Sequence, residues 1–567
     1  MGYVHNVMDI RRQIVPTARQ LEARYNVKVV ISGPNGQKYT LPTWVLPGPR
    51  IQSTVVKSFG YRPETIQAAL QKTESLVKKG IIKAGSTIDL ANVILGRYDQ
   101  VTVNVGAYCG QEGKGKISDW LAQDRVDMVV RHQGGDNCCY QTAFNGINIV
   151  LSLLPVGVLS PKVIAVLGDA TYINPEILLH EISVVEKALK QSLVGRLIVS
   201  GRAHVTMPYH IVARTYEEAA RDLNAQGGCN TGSGLTAADK YGRRGITIND
   251  LFKPDEFKRK LEEHVPRWND EIQGIVKRAA EKGLMLEPVR FNEQEIFEIY
   301  SELAQLLQPY VMGGATGLIN DTVAEGKRIL FQGVQAALVD IDHGGYPNCT
   351  SSNTMTGAAS TAAGIDPQLV TNKIGTVKVY ATRSHEGAFP TQISGSSPKA
   401  YDVQAFQHIL EKGKEYDHIF GEGGTGGLDL PFDEKNPNRV GWIDTVFLKY
   451  STRINGLTQI AVTKLDVLSG LPTIKICTSY AYRGEVSDYM PENPKILKNV
   501  SPVYEELPGW QEDISKARSF EELPINAQNY LKRIAQLLNV RIGIVSVGPQ
   551  REQTFWVPPY HFDSLIK

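Results

Sequence analysis

The sequence predicts an α/β protein. The expected architecture is a large, largely parallel central sheet with helices on both faces, plus a small α+β extension at the N-terminus. Three observations predict it. Apolar runs such as VTVNVG, KVIAVLG, RLIVSG, QIAVTKLDVL and RIGIVSVG alternate with helical stretches at 295–307 and 526–538, the pattern of a parallel sheet covered on both sides. The texture changes near Tyr98, which sets residues 1–98 apart from residues 99–567. The chain is 42% hydrophobic and 21% charged, with no tandem repeat or low-complexity tract, a globular composition.

The extension reads in order as follows. Residues 7–25 carry a helical pattern, VKVVISG (28–34) reads as a strand, and Pro34-Asn35-Gly36 turns the chain into QKYTLPTWVL. Pro47 and Pro49 break the chain. Residues 61–80 have helix composition, with Pro63 near the start and Gly80 just past the end. STIDLANVIL (86–95) opens on a Ser/Thr cap and reads as a second helix. A short hairpin followed by helices with a KKGIIKAGSTIDLANVIL tail weakly resembles the ATP-cone module, which implies a regulatory role. The alternative is a structural extension packed on the main domain or on a partner subunit.

Composition excludes several classes. Lys and Arg number 61 against 59 Asp and Glu, a net charge of +2, so nucleic acid is not held by bulk charge. The six cysteines form no C-x-x-C pair, which removes zinc-ribbon and thioredoxin readings and leaves reduced thiols of a cytoplasmic protein. No apolar run approaches the ~18 residues of a membrane span, and the N-terminus lacks the apolar core of a secretory signal.

The first chemical motif is VTVNVGAYCGQEGKGKISDWL (101–121), a strand, then glycines and lysines, then a helix. Gly106, Gly110, Gly113 and Gly115 free the backbone to approach a ligand, and N–H groups at a helix start cradle phosphate oxygens. Lys114 and Lys116 add charge. The run is not the Walker pattern, because no Ser or Thr follows the lysine.

Together with VVRHQGGDN (129–137), this loop resembles the adenylosuccinate synthetase family, whose pattern is G-D-E-G-K-G-K followed by V-V-R-x-Q-G-G-x-N. The resemblance continues in order through YGRRG (241–245), FQGVQAALVDIDHGGYPNCTSSNT (331–354), GAFPT (387–391), VGWIDTV (440–446), TKLDVLSGL (463–471), IKIC (474–477), YEELPGW (504–510) and VGPQREQT (547–554). It implies a carbon–nitrogen ligase that joins a 6-oxopurine nucleotide to aspartate, with GTP as co-substrate and Mg²⁺. Phosphorylating O6 turns a poor leaving group into a good one, which the amine displaces. Residue by residue, the resemblance places Gly110, Gly113, Lys114, Gly115 and Lys116 at phosphate, and Asn137, Thr231, Gln335 and Thr350 at the purine nucleotide. Arg243 becomes the arginine reaching into the neighbouring subunit of a homodimer. Lys464 and Asp466 become the guanine readers, with Gly548 in the base pocket. The Asp466 carboxylate suits guanine because it accepts from N1–H and the 2-amino group together.

The departures fall where the chemistry happens. The family's loop aspartate, base and magnesium ligand, is here Gln111, which cannot accept a proton as a carboxylate does. Gln111 and the Cys139 backbone carbonyl are the candidate metal ligands. The family's histidine aligns with Tyr140. The amino-acid loop, usually T-T-G and an arginine run, is rebuilt as GEGGTGGLDLPFDEKNPNRVGW (421–442), keeping Thr425 and Arg439. Arginine forks are the natural clamp for a dicarboxylate. The readings are therefore a ligase with an altered acceptor or amine, a nucleotide-binding protein that has lost ligase chemistry, or a synthase acting on a guanylate, as in the phage branch of the family that also lacks the loop aspartate.

Overall fold

The computed structural model describes residues 15–32, 38–40, 61, 63–97, 99–123, 126–144, 147–221, 230–383, 387–393, 400–413, 416–417, 433–437, 439–563 and 565–566. Its centre is a ten-stranded sheet. The strands are β1 (Val101–Gly106), β2 (Met128–Arg131), β3 (Ile164–Leu167), β4 (Leu197–Ser200), β5 (Val311–Met312), β6 (Ile329–Ala336), β7 (Val370–Lys378), β8 (Gln459–Thr463), β9 (Ile542–Ser546) and β10 (Thr554–Trp556). Their order is β5-β4-β3-β2-β6-β1-β7-β8-β9-β10. Every neighbouring pair is parallel except β9 with β10.

The strands take this place because both of their faces are apolar. Val101, Val103 and Val105 line one buried face of β1, and Met128, Val129 and Val130 bury both faces of β2, so neither face of the sheet tolerates water. One polar residue is buried in β1. Asn104 donates to Ser118 Oγ at 2.9 Å and accepts from Thr376 Oγ1 at 2.7 Å, which satisfies its amide.

Two sequence expectations change. The TIKICTSYAY run leaves the main sheet as Thr473–Tyr482. It joins a six-stranded sheet with Tyr380–Arg383, Gln392–Ile393, Arg439–Asp444, Glu485–Ser487 and Ser501–Pro508. An apolar run reads the same in either sheet, so only pairing decides. STIDLANVIL is also not one helix. Thr87–Asp89 is a strand parallel to Lys28–Ser32, and the helix is Leu90–Ile94. The reason is Asp89, whose carboxylate accepts from Ser32 N at 3.1 Å and caps the helix through Ala91 N at 3.0 Å.

The described N-terminal residues have their own core, built on Val29, Ile31, Leu70, Ile88 and Leu90, which Tyr560 joins from the C-terminal end. They dock at the N-terminal ends of the parallel strands. Gln459, first in β8, donates to Leu95 O at 2.8 Å, Arg541 before β9 donates to Ile94 O at 3.4 Å, and Lys72 pairs with Asp99 at 2.5 Å. The glycine–lysine loop follows β1, at the opposite ends of the same strands.

Candidate active site

The glycine–lysine loop sits where an α/β sheet presents ligands, beyond the carboxyl ends of its strands. It runs from β1 into helix α1 (Lys114–Gln123), so the unbonded N–H groups of the first helical turn face the loop. Gly110 and Gly113 have φ of 109° and 82°, in the left-handed region that favours glycine. A Cβ on Gly106 would meet Gln335 O at 2.6 Å and Glu112 Oε2 at 2.8 Å, so the close approach of β1 and β6 requires glycine there.

Glu112, which sequence reasoning passed over, organises this loop from within. It is buried, accepts from Tyr108 N at 3.2 Å and Gly110 N at 2.7 Å, and pairs with Lys114 Nζ at 2.6 Å. Thr463, at the end of β8, donates to Glu112 O at 2.6 Å. Lys114 is thereby aimed by the loop's own carboxylate.

Strain marks the predicted residues. Among the described residues, eight non-glycine positions have positive φ, and four of them are Gln111 (55°), Arg243 (61°), Gln335 (58°) and Lys464 (58°). Such backbones cost energy and concentrate at functional sites. For Gln335 the cause is visible. The β6–β1 register shifts between Gln332 and Ala336, and this irregularity turns Gln335 out of the ladder.

Three of the four residues expected at the purine nucleotide join in one chain. Gln335 Nε2 donates to Asn137 Oδ1 at 2.8 Å, and Asn137 Nδ2 donates to Thr350 Oγ1 at 3.4 Å. Gln335 Oε1 is buried and accepts no hydrogen bond among the described residues, leaving an acceptor for a ligand. Thr231 Oγ1 lies 3.0 Å from Ser233 Oγ, which donates to Asp136 Oδ1 at 3.2 Å. Arg243 follows helix α2 (Ser233–Tyr241) on an exposed turn. That turn is fastened behind by Arg244, which pairs with buried Asp239 at 2.8 Å.

The residues predicted to read guanine also converge. Lys116 Nζ donates to Ser546 Oγ and Gly548 O, bringing together segments more than four hundred residues apart. Burial pulls the Lys116 ammonium down to about 8, with Asp466 and Glu552 pulling it back up. Asp466 Oδ1 is buried and accepts nothing among the described residues. Burial raises the Asp466 carboxyl while Lys116, Lys464 and Lys412 lower it. Lys464 lies over the Tyr380 ring at 5.9 Å. An orphaned buried acceptor is costly, and the paired donors of a guanine edge fit it.

Tyr140 stands differently. Its ring covers Gly115, where a Cβ would lie 2.5 Å from it, and its hydroxyl donates to Asp119 Oδ2 at 3.1 Å. Asp119 also takes a two-pronged bond from Arg551, at 2.6 and 2.7 Å. Burial and Asp119 push the phenol well above its ordinary range, so Tyr140 stays protonated. The chain of three ties strand Tyr140–Phe144, helix α1 and the segment carrying Arg551 together. Asp119 and Arg551 carried no sequence signal beyond lying in matched segments.

Arg439 donates to Gln392 Oε1 at 2.7 Å and to Gly387 O at 3.2 Å. Its cross-strand partner is Arg383, which is buried and donates to Ala388 O at 2.8 Å. Sequence reasoning counted one arginine here; pairing supplies a second. Two guanidiniums facing each other across a sheet repel, and an anion between them relieves the repulsion. Thr425 lies outside the described residues.

Magnesium fits poorly as a resident ion. Among the described residues no three His, Cys, Asp or Glu side chains are grouped to hold a metal. Both Glu112 oxygens accept hydrogen bonds, and exposed Gln111 and Cys139 provide only neutral oxygens. Magnesium ions are usually bound through one or two carboxylates and substrate phosphates, and these residues do not supply that set by themselves. Among the described residues no helix is long and apolar enough to cross a membrane.

A largely parallel ten-stranded sheet with a glycine–lysine loop at a helix start and an unpartnered Asp466 oxygen after the neighbouring strand place the chain in the α/β class. The family model for adenylosuccinate synthetase matches residues 103–555. The chain is 40% identical to the adenylosuccinate synthetase of Caldanaerobacter subterraneus over 454 residues, covering 80% of this chain and 98% of that one. It is 38% identical to that of Limosilactobacillus reuteri, covering 81% and 98%. A structure of fully ligated adenylosuccinate synthetase from Plasmodium falciparum superposes with a TM-score of 0.70 at 30% identity, covering 81% of this chain and 99% of that one. The chain belongs to the adenylosuccinate synthetase family.

Proposed function

We propose that the protein is a GTP-dependent carbon–nitrogen ligase acting on a 6-oxopurine nucleotide and a carboxylate-bearing amine, with acceptor or amine preference altered from the family's. The observation that carries this reading is the buried, unpartnered Asp466 oxygen, electrostatically coupled to Lys116, which itself bonds Ser546 and Gly548. A pocket that keeps an uncompensated acceptor is selected by a ligand with matching donors. Gly113, Gly115 and Lys114 hold the phosphates, and magnesium supplies charge neutralisation when the nucleotide brings it. Asn137, Gln335 and Thr350 hold the acceptor purine nucleotide. Arg383 and Arg439 hold a carboxylate of the amine.

The alteration rests on Gln111 and Tyr140. Gln111 supplies no carboxylate to take the N1 proton, and the Tyr140 hydroxyl is committed to Asp119. Arg243, exposed on a left-handed turn, is suited to completing the site of a second copy. The test is phosphate release from GTP with magnesium over a panel of purine nucleotides and amino acids. Release dependent on one nucleotide–amine pair other than IMP with aspartate is expected. Tight GTP binding without release for any pair would establish a non-catalytic nucleotide-binding protein instead. Mixing Arg243→Leu subunits with Lys114→Ala subunits should restore part of that release, and a lack of rescue would remove the shared site.

A further inference from the structure

Asp136 is a buried carboxylate that the reading above does not use. It precedes Asn137 in the acceptor-nucleotide subsite and is 5% exposed. Its Oδ1 accepts from Ser233 Oγ at 3.2 Å, and Ser233 Oγ lies 3.0 Å from Thr231 Oγ1. Its Oδ2 is buried and unbonded among the described residues. The geometry of Ser233 is imposed by the glycine before it. Gly232 has φ of 77° and a Cβ there would lie 2.9 Å from Ile211 N, so α2 must begin with Ser233 turned toward Asp136.

We propose that Asp136 is a specificity-determining residue of this subsite: through Ser233 it sets which way the Thr231 hydroxyl donates, so that a phosphomonoester dianion enters only together with one proton. This rests on the acceptor being a purine nucleotide held by Asn137 and Thr350. The argument is one of hydrogen-bond direction. An ionised carboxylate only accepts, so Ser233 donates to Asp136, and the Thr231 proton is drawn to Ser233 or to Asp136 itself. Thr231 is then left with lone pairs. A phosphate dianion also has only lone pairs to offer, and the two repel. With a proton on Asp136 the chain reverses: Asp136 donates to Ser233, Ser233 to Thr231, and Thr231 to the phosphate oxygen.

The groups facing Asp136 leave it as the titrating member. Ser233 and Thr231 approach from α2 and the residues before it. Arg131 of β2 donates its guanidinium hydrogens to Gly135 O, Ser152 O and Cys138 Sγ. His132, next on the same segment, is held neutral, lowered to about 3 by burial and by Arg131. Burial pushes the Asp136 carboxyl up to about 6, against Ser233, Thr231 and Arg131. Protonating it at pH 8 is therefore costly but attainable, and each pH unit is worth tenfold.

The experiment is calorimetric titration of the full chain with IMP, and with GMP as second probe, at pH 8 in buffers of different ionisation enthalpy. At that pH a monophosphate is already dianionic, so any proton taken up goes to the protein. Binding of a monophosphate should take up about one proton, and binding of inosine none. Affinity for the monophosphate should rise roughly tenfold per unit as pH falls from 8 toward 6.5. Asp136→Asn, whose amide donates to Ser233 permanently, should bind the monophosphate more tightly at pH 8 with no proton uptake. Ser233→Ala should also abolish the uptake, and unchanged GTP affinity in both variants shows that they fold. Monophosphate binding without proton uptake in the wild type, or weaker binding by Asp136→Asn, overturns the proposal. If Asn137→Ala leaves monophosphate binding intact, or if neither monophosphate binds, the acceptor assignment itself falls.

Discussion

The two halves of the cleft treat their polar groups in opposite ways. On the donor-nucleotide side, Glu112, Lys114, Thr463, Lys116 and Ser546 bond across segments distant in sequence, and one acceptor, Asp466 Oδ1, is left open. Around the proposed amine subsite, Arg439 is engaged by Gln392 and Gly387, and Arg383 by Ala388. A rigid frame with one open acceptor specifies a ligand. A set of mutually satisfied groups must exchange partners before it can hold one, and this costs affinity or demands a different substrate. The contrast separates an open acceptor at the end of the ten-stranded sheet from arginines of the six-stranded sheet that are already bonded.

The largest effect should come from giving the glycine–lysine loop a carboxylate at position 111. Gln111→Asp should raise IMP-dependent GTP cleavage by ~10²–10⁴-fold, the usual worth of a general base. Phosphate release against time measures it. If the unaltered protein already turns over IMP and aspartate as fast as that variant, the contrast between the halves dissolves. Tyr140→His should add rate only on the Gln111→Asp background.

Next in size is Asp466→Asn, which removes the acceptor that defines the donor side. Loss of a buried partner costs ~1–3 kcal/mol, so the dissociation constant for GTP should rise about tenfold to a hundredfold while that for ATP stays level. Unchanged GTP binding by fluorescence titration would place guanine elsewhere.

Tyr140→Phe tests whether the tie from Tyr140 through Asp119 to Arg551 is structural. It deletes one hydrogen bond to Asp119, so thermal or denaturant unfolding should show a loss of ~1 kcal/mol. Turnover with the preferred substrates should be kept, because the phenol carries no proton to the reaction. A large fall in turnover with little change in stability would return Tyr140 to the chemistry.

The smallest effect is a pH trend. The Lys116 ammonium, lowered to about 8 by burial, is cationic below that pH and neutral above it. GTP affinity should therefore weaken as pH rises through about 8, by at most tenfold per unit. Lys116→Gln should be weaker throughout and flat over the same range. A wild-type profile flat between pH 7 and 9 would show that the charge is not used.

The sequence by itself determined the parallel sheet and the identity of the chemical landmarks. An apolar run buried on both faces, such as 101–106 or 542–546, has no other stable place, and G-x-x-G-K-G-K before a helix has few other uses. It did not determine which sheet Thr473–Tyr482 would join, that Asp89 would split STIDLANVIL into strand and cap, or that Arg383 would face Arg439. It did not show that the Tyr140 hydroxyl would reach Asp119, or that Asp136 would end a hydroxyl chain from Thr231. Only the tertiary structure decided these, for one physical reason. Burial along a strand or helix is encoded in local periodicity. A hydrogen bond or ion pair between residues tens to hundreds apart depends on which surfaces packing brings face to face, and no local pattern records it.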